Sequence, residues 1–142
     1  MSEAGYSGTP LMKKLGAKPR LAALYVSVPD TITAMQAYED WGRLVSNADM
    51  VDPIEGLFDF IHIFETDLDR LKAALPVLRE HLSQTGMVWI SWPKKASKVP
   101  TTLDGGVVRS AGIAAGLVDI KVCAVDAVWS GHKFVIPVKD RR

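Results

Sequence analysis

Three lysines within five residues, Lys94, Lys95 and Lys98, flank Ser97 and follow Trp92 and Pro93. Ammonium groups beside small hydroxyls, ahead of a helix start, suit a phosphate or a carboxylate. Trp92 adds a flat face for stacking, and Gly8, in the turn Gly5 to Pro10, adds backbone N–H groups that a bound anion can approach. These six residues are the candidate ligand site, and a small anionic metabolite is the candidate ligand. The bland alternative is a solvated loop whose lysines keep an exposed end soluble, because the spacing lacks the fixed signature of a P-loop.

Other reactive side chains read as structural. His62 lies in an aromatic strand, where a lone histidine is a hydrogen-bonded core residue unless a partner orients it as a base. Cys123 is the one cysteine, buried and inert by default, since reactive thiols need exposed electropositive surroundings. Asp119 and Lys121, two residues apart on one strand, read as an ion pair on one face. His132 and Lys133, near Trp129 and Ser130, line a groove or an oligomer edge. No Ser-His-Asp order, no paired carboxylates and no metal-ligand spacing occur. The sequence therefore assigns no catalytic residue, no metal and no resident cofactor, and leans away from an enzyme.

The elements that must hold these residues follow from periodicity. A short amphipathic stretch, Leu11 to Leu15, stops at Gly16. The apolar run Leu21 to Val28 is a first buried strand, ended by Pro29. Asp30 then caps a helix carrying Ile32, Met35, Tyr38, Trp41 and Leu44. Between Ser46 and Gly56 there is room for a short strand around Ala48 to Val51. Leu57 to Phe64 is a strong strand with Phe58, Phe60 and Phe64 beside His62. Thr66 and Asp69 resemble a capping box. Behind them Leu68, Leu71, Leu75, Leu78 and Leu82 mark one helix face, kinked at Pro76 and released at Gly86.

Met87 to Trp92 is another strand, closed by Pro93. A helix over Asp104 to Ala115 ends at Gly116. Leu117 to Val125 is a strand, and a turn at Ser130-Gly131 returns the chain through His132 to Val138 as an antiparallel partner. The alternation predicts an α/β three-layer sandwich: a mostly parallel sheet with right-handed crossovers and a C-terminal antiparallel hairpin. Ligands of such sheets bind beyond the carboxyl ends of the strands. Those ends are Pro29 and Asp30, Glu65 to Asp67, and Pro93 to Lys95.

Composition sets the bounds. One domain over residues 1–142 is expected, with residues 1–16 docking on it and 139–142 a frayed tail. With 17 basic and 16 acidic residues the formal net charge is +1, which asks for no nucleic acid partner. No apolar run approaches the roughly 20 residues of a membrane span. Nothing at the N-terminus reads as a signal peptide, so a cytoplasmic location is expected.

Three segments, Gly5-Tyr-Ser-Gly-Thr-Pro-Leu11, Trp89-Ile-Ser-Trp-Pro-Lys-Lys-Ala-Ser-Lys98, and Gly116 to Val125 with Trp129-Ser-Gly131, resemble a bacterial family known as domain of unknown function 3052. The resemblance runs nearly end to end and is weakest between Thr31 and Asp52; it implies no activity. The order of elements from Leu57 onward is also similar to the second half of the class I methyltransferase fold. That Rossmann-like fold wants glycines after the first strand, where backbone approaches the cofactor. Here the turn reads Val26-Ser-Val-Pro-Asp30, with no glycine. The leading expectation is therefore a non-catalytic binding domain. The rivals are a degenerate S-adenosylmethionine-type transferase and a structural module that dimerises through the terminal hairpin.

Overall fold

The computed structural model describes residues 10–142; Gly8 and the rest of the turn up to Thr9 lie outside the described residues. A short helix α1 (Leu11–Lys14) leads into strand β1 (Ala22–Val26), helix α2 (Thr33–Ala37) and strand β2 (Arg43–Asn47). Then come β3 (Phe58–Phe64), α3 (Leu68–Glu80), β4 (Leu82–Pro93), α4 (Gly105–Ala114), β5 (Val118–Ala124) and β6 (Trp129–Val135). Six strands form one sheet in the order β2-β1-β3-β4-β6-β5. The first four run parallel, while β6 pairs antiparallel with both β4 and β5. The expected sandwich with its C-terminal hairpin is the observed architecture.

Each face of the sheet has its own core. Leu24, Val26, Ile61, Ile63, Val88 and Ile90 pack against Leu71, Leu75 and Leu78 of α3 and Val108 of α4. On the opposite face Tyr25, Phe60, Phe64 and Trp89 meet Leu11 and Leu15 of the α1 segment and Met35 of α2. The Trp89 indole N–H donates to the Leu15 carbonyl at 2.8 Å, fixing α1 to the sheet. No helix among the described residues is long and apolar enough to cross a membrane.

Several elements depart from expectation, each for a local reason. The helix expected through Leu44 ends at Ala37. Beyond it the Gly42 N–H donates to the Leu21 carbonyl at 2.9 Å, and Arg43 to Asn47 become the outer strand β2. The segment expected as a strand, Ala48 to Val51, is a 3₁₀ turn. The cap of α3 is Asp67, whose carboxylate accepts from Arg70 N at 3.0 Å, rather than the Thr66 capping box. Gly86 lies inside β4, beside an irregularity in the β3–β4 ladder between Phe58 and Phe60. That irregularity turns Phe58 into the α3 core, away from His62.

In the hairpin, a register shift between Asp119 and Lys121 puts these residues opposite Phe134 and Lys133 respectively, so they do not pair. Asp119 instead meets Arg109 of α4 at 3.1 Å and His132 at 3.4 Å. The return turn falls at residues 125–128, with Ser130 and Gly131 inside β6. At the chain end, the Arg142 N–H donates to the Gln84 side chain and Arg141 Nε to the Ile136 carbonyl.

Candidate functional site

The topology places a switch point between β1 and β3. From β1 the chain moves outward to β2 through α2, and from β3 it moves the other way to β4 through α3, with the two helices on opposite faces. Open α/β sheets bind ligands in the crevice that this reversal leaves. Here the crevice is widened by an unusual connection. The return from β2 across β1 to β3 uses only residues 48–57, too few for the helix that most parallel crossovers carry. Met50 and Ile54 from this segment pack on the α3 side, leaving a groove between the segment and α3.

The groove is a cavity of about 480 Å³. Val26 and Ile63 of the sheet, Ile54, and Ala74 of α3 form its apolar wall, with Ser27, Asp49, Asp52, Glu65 and Arg70 adding polar groups. A volume of this order holds a nucleoside-sized ligand.

Local chemistry explains why the crossover takes this path. The buried Asn47 amide clamps the first turn: Nδ2 donates to the Asp52 carbonyl at 2.8 Å, and Oδ1 accepts from Asp52 N at 3.2 Å. Asp49 and Met50 between them are left-handed, with φ of 55° and 59°, and Ser27 facing them has φ 57°. Three non-glycine residues in this region around one cavity are costly and concentrate where backbone is held for a purpose. A mutual bond holds them: Ser27 Oγ donates to Asp49 Oδ1 at 3.1 Å and accepts from Asp49 N at 2.8 Å.

At the end of β3, Glu65 is fully engaged. Its Oε2 accepts from Thr66 N at 2.8 Å, Asp67 N at 3.0 Å and the Arg70 guanidinium at 3.0 Å. Glu65 in turn raises the Arg70 pKa above its ordinary value. Three donors thus fix the orientation of this carboxylate at the cavity wall.

Of the six candidates from the sequence, the five that are described, Lys94, Lys95, Lys98, Ser97 and Trp92, do not line this cavity. Lys94 does follow β4, but its ammonium donates to the Asp126 carbonyl at 2.7 Å and pins the β5–β6 turn. Lys95 and Lys98 are exposed. The Ser97 hydroxyl donates to the Lys94 carbonyl at 2.6 Å and closes its own turn. Trp92 is buried in the α3–α4 core, and Gly8 lies outside the described residues. The cavity residues Ser27, Asp49 and Met50 were passed over, although one signal pointed to them. Asp49 comes 22 positions after Ser27, close to the spacing at which dinucleotide folds place an acid after the first strand.

His62 is wholly buried on the opposite face. Its Nε2 pairs with Ser91 Oγ at 2.7 Å, its ring stacks on Phe64 at 4.5 Å, and Nδ1 has no partner. Burial lowers its pKa to about 3, so it stays neutral. Cys123 is half-buried, and burial raises its pKa above the ordinary thiol value. Among the described residues no group of three or more His, Cys, Asp or Glu side chains is placed to hold a metal ion.

Comparison with solved structures gives the architecture its family of shapes. The chain is similar to a TehB-like S-adenosylmethionine-dependent methyltransferase from Corynebacterium glutamicum, with a TM-score of 0.59 at 16% identity over 95% of this chain and 91% of that one. It is similar to the magnesium protoporphyrin IX methyltransferase of Synechocystis with bound S-adenosylhomocysteine, at TM-score 0.60 and 10% identity over 88% and 78% of the two chains. The N-methyltransferase NodS of Bradyrhizobium japonicum matches at 0.57 and 11% identity over 93% and 99%. The fold is that of the methyltransferases. At these identities the likeness concerns fold alone. No family model matches the sequence, and no curated protein matches it.

The methyltransferase fold raises the question of whether S-adenosylmethionine fits here by the glycine-loop route. It does not. Residues 27–30 after β1 contain no glycine, and the Ser27–Asp49 bonds tie the end of β1 to the turn after β2. A ligand approaching the backbone there meets side chains where glycines leave room.

Proposed function

We propose that this chain is a small-molecule-binding protein on a methyltransferase fold, taking an adenosyl ligand of the S-adenosylmethionine type in the cavity beside α3. The cavity carries the reading: about 480 Å³ at the switch point, with an apolar wall for a flat ring and carboxylates for hydroxyl or cationic groups. The neighbours with bound S-adenosylmethionine or S-adenosylhomocysteine make these the first ligands to try. No transfer step is assigned. Glu65 is held in place by three donors and His62 lies on the other face of the sheet, so neither is given a part in a transfer.

Calorimetry with S-adenosylmethionine and S-adenosylhomocysteine tests the reading, using Ala73→Trp to fill the cavity from its exposed edge. Heat in the wild type that disappears in Ala73→Trp is the expected result. Absence of heat at millimolar ligand, or binding untouched by Ala73→Trp, overturns it.

A further inference from the structure

On the face of the sheet opposite the cavity, Lys121 of β5 stands directly across the antiparallel ladder from Lys133 of β6. Like charges in that position repel and weaken the pairing. Lys133 is half-buried, with its ammonium over Gly16 at the end of α1: a side chain at Gly16 would meet it at 3.9 Å. Gly16 is left-handed, with φ 85°, which favours glycine and keeps this floor open.

Lys18, in the turn between α1 and β1, adds a third positive charge that acts on Lys133. Among the described residues none of the three is paired with a carboxylate. The one acid on β5, Asp119, is turned to the other face by the register shift and is held by Arg109 and His132. Burial, then Lys121 and Lys18, lower the Lys133 pKa. A partly desolvated cation opposite a like charge, with no carboxylate partner among the described residues, costs stability that a bound anion would return.

We propose that Lys121 and Lys133 form a binding site for a phosphate-type polyanion between the end of α1 and the β5–β6 hairpin. The site is separate from the cavity and independent of its ligand. A compact group with two or more negative charges answers two facing lysines, each ammonium offering up to three donors. The phosphate is either free or the headgroup of a lipid surface, and the assay separates the two.

Inorganic pyrophosphate is titrated into the full chain by calorimetry and thermal melting, and sedimentation with phosphatidic acid vesicles, whose headgroup is a phosphomonoester, runs in parallel. The comparison uses the double variant Lys121→Met with Lys133→Met, which keeps the apolar stems, and Lys139→Met as a distant control. Wild type and control are expected to bind pyrophosphate, and the double variant to bind at least about tenfold more weakly. Without ligand, the double variant is expected to melt about 2 °C higher, because repulsion is removed. Vesicle binding that depends on Lys121 and Lys133, with no response to pyrophosphate, identifies a headgroup and upholds the site. Three results overturn it: no response to either probe, equal weakening by Lys139→Met, or a double variant that melts no higher than wild type.

Discussion

Ser27 and Asp49 hold each other across the carboxyl ends of β1 and β2, the hydroxyl of one donating to the carboxylate of the other and accepting from its backbone N–H. Both residues are left-handed, so the bonds must offset a backbone cost of roughly 1–2 kcal/mol at each position. Two substitutions at position 27 separate these effects. Ser27→Ala loses both bonds and keeps the strain, and should cost about 1 kcal/mol in urea unfolding. Ser27→Gly loses the bonds but relieves the strain, and should be close to neutral. If alanine is tolerated as well as glycine, the bonds are not what holds the turn.

His62 should make the protein acid-sensitive in a particular window. Its folded pKa is about 3 against 6.5 for the free side chain. A depressed histidine pKa means that the unfolded chain takes up a proton that the folded chain refuses. Its contribution is fully present above pH 6.5 and is lost as pH falls from there towards 3. The slope approaches about 1.4 kcal/mol per pH unit inside that window. Urea unfolding at pH 7, 6, 5 and 4 should show it, and His62→Gln should flatten the profile by one proton while lowering stability at pH 7. An unchanged profile would mean that His62 titrates in the folded state.

How much of this was legible in the residues differs from element to element. The spacing of Leu68, Leu71, Leu75 and Leu78 and the apolar run Leu57 to Phe64 form α3 and β3, but Leu82, read as the end of that helix face, opens β4 instead. The spacing of Ile32, Met35, Tyr38, Trp41 and Leu44 is equally helical, yet only Thr33–Ala37 is helix. Tyr38 and Trp41 do face the core, where Trp41 donates to the Tyr25 hydroxyl at 2.9 Å. They reach it from an irregular segment, and the pairing of Arg43–Asn47 with β1 decides the rest.

The cavity was illegible for a related reason. It exists because ten residues replace a crossover helix, and its shape comes from the Asn47 clamp and two left-handed residues; apart from the spacing of Ser27 and Asp49, nothing in the sequence marks it. The lysine run after β4 was legible as chemistry. What the sequence could not say is that the Lys94 amine already has a partner in the β5–β6 turn.

Gly112 sits in α4 against the ring of Phe134, and a Cβ there would overlap the ring edge. Phe134 is wholly buried and stacks on His132 at 4.6 Å, so it has little room to withdraw. Gly112→Ala should destabilise by about 2 kcal/mol despite alanine's better helix propensity, because overpacking outweighs the roughly 1 kcal/mol gained in the helix. Phe134→Leu alone should also destabilise. The double variant should cost less than the sum, showing that the two positions share one space. Additive effects in thermal unfolding would remove the steric account.

Lys94 and Lys95 are neighbours of one type, and the fold gives them different work. The Lys94 ammonium donates to the Asp126 carbonyl at 2.7 Å, and its backbone N–H donates to the Val128 carbonyl at 2.7 Å. Asp126 in turn accepts from Val128 N and Trp129 N, each at 2.8 Å. One side chain therefore ties the end of β4 to the turn that starts β6. Lys94→Met should lower stability by about 1 kcal/mol, since it leaves a partly buried carbonyl without its charged donor. Lys95, exposed in the same loop, should tolerate methionine within about 0.5 kcal/mol. Urea denaturation of the two variants in parallel decides the matter. Equal stability would mean that Lys94 is a solvated lysine like its neighbour, and the loop would again be open as an anion site.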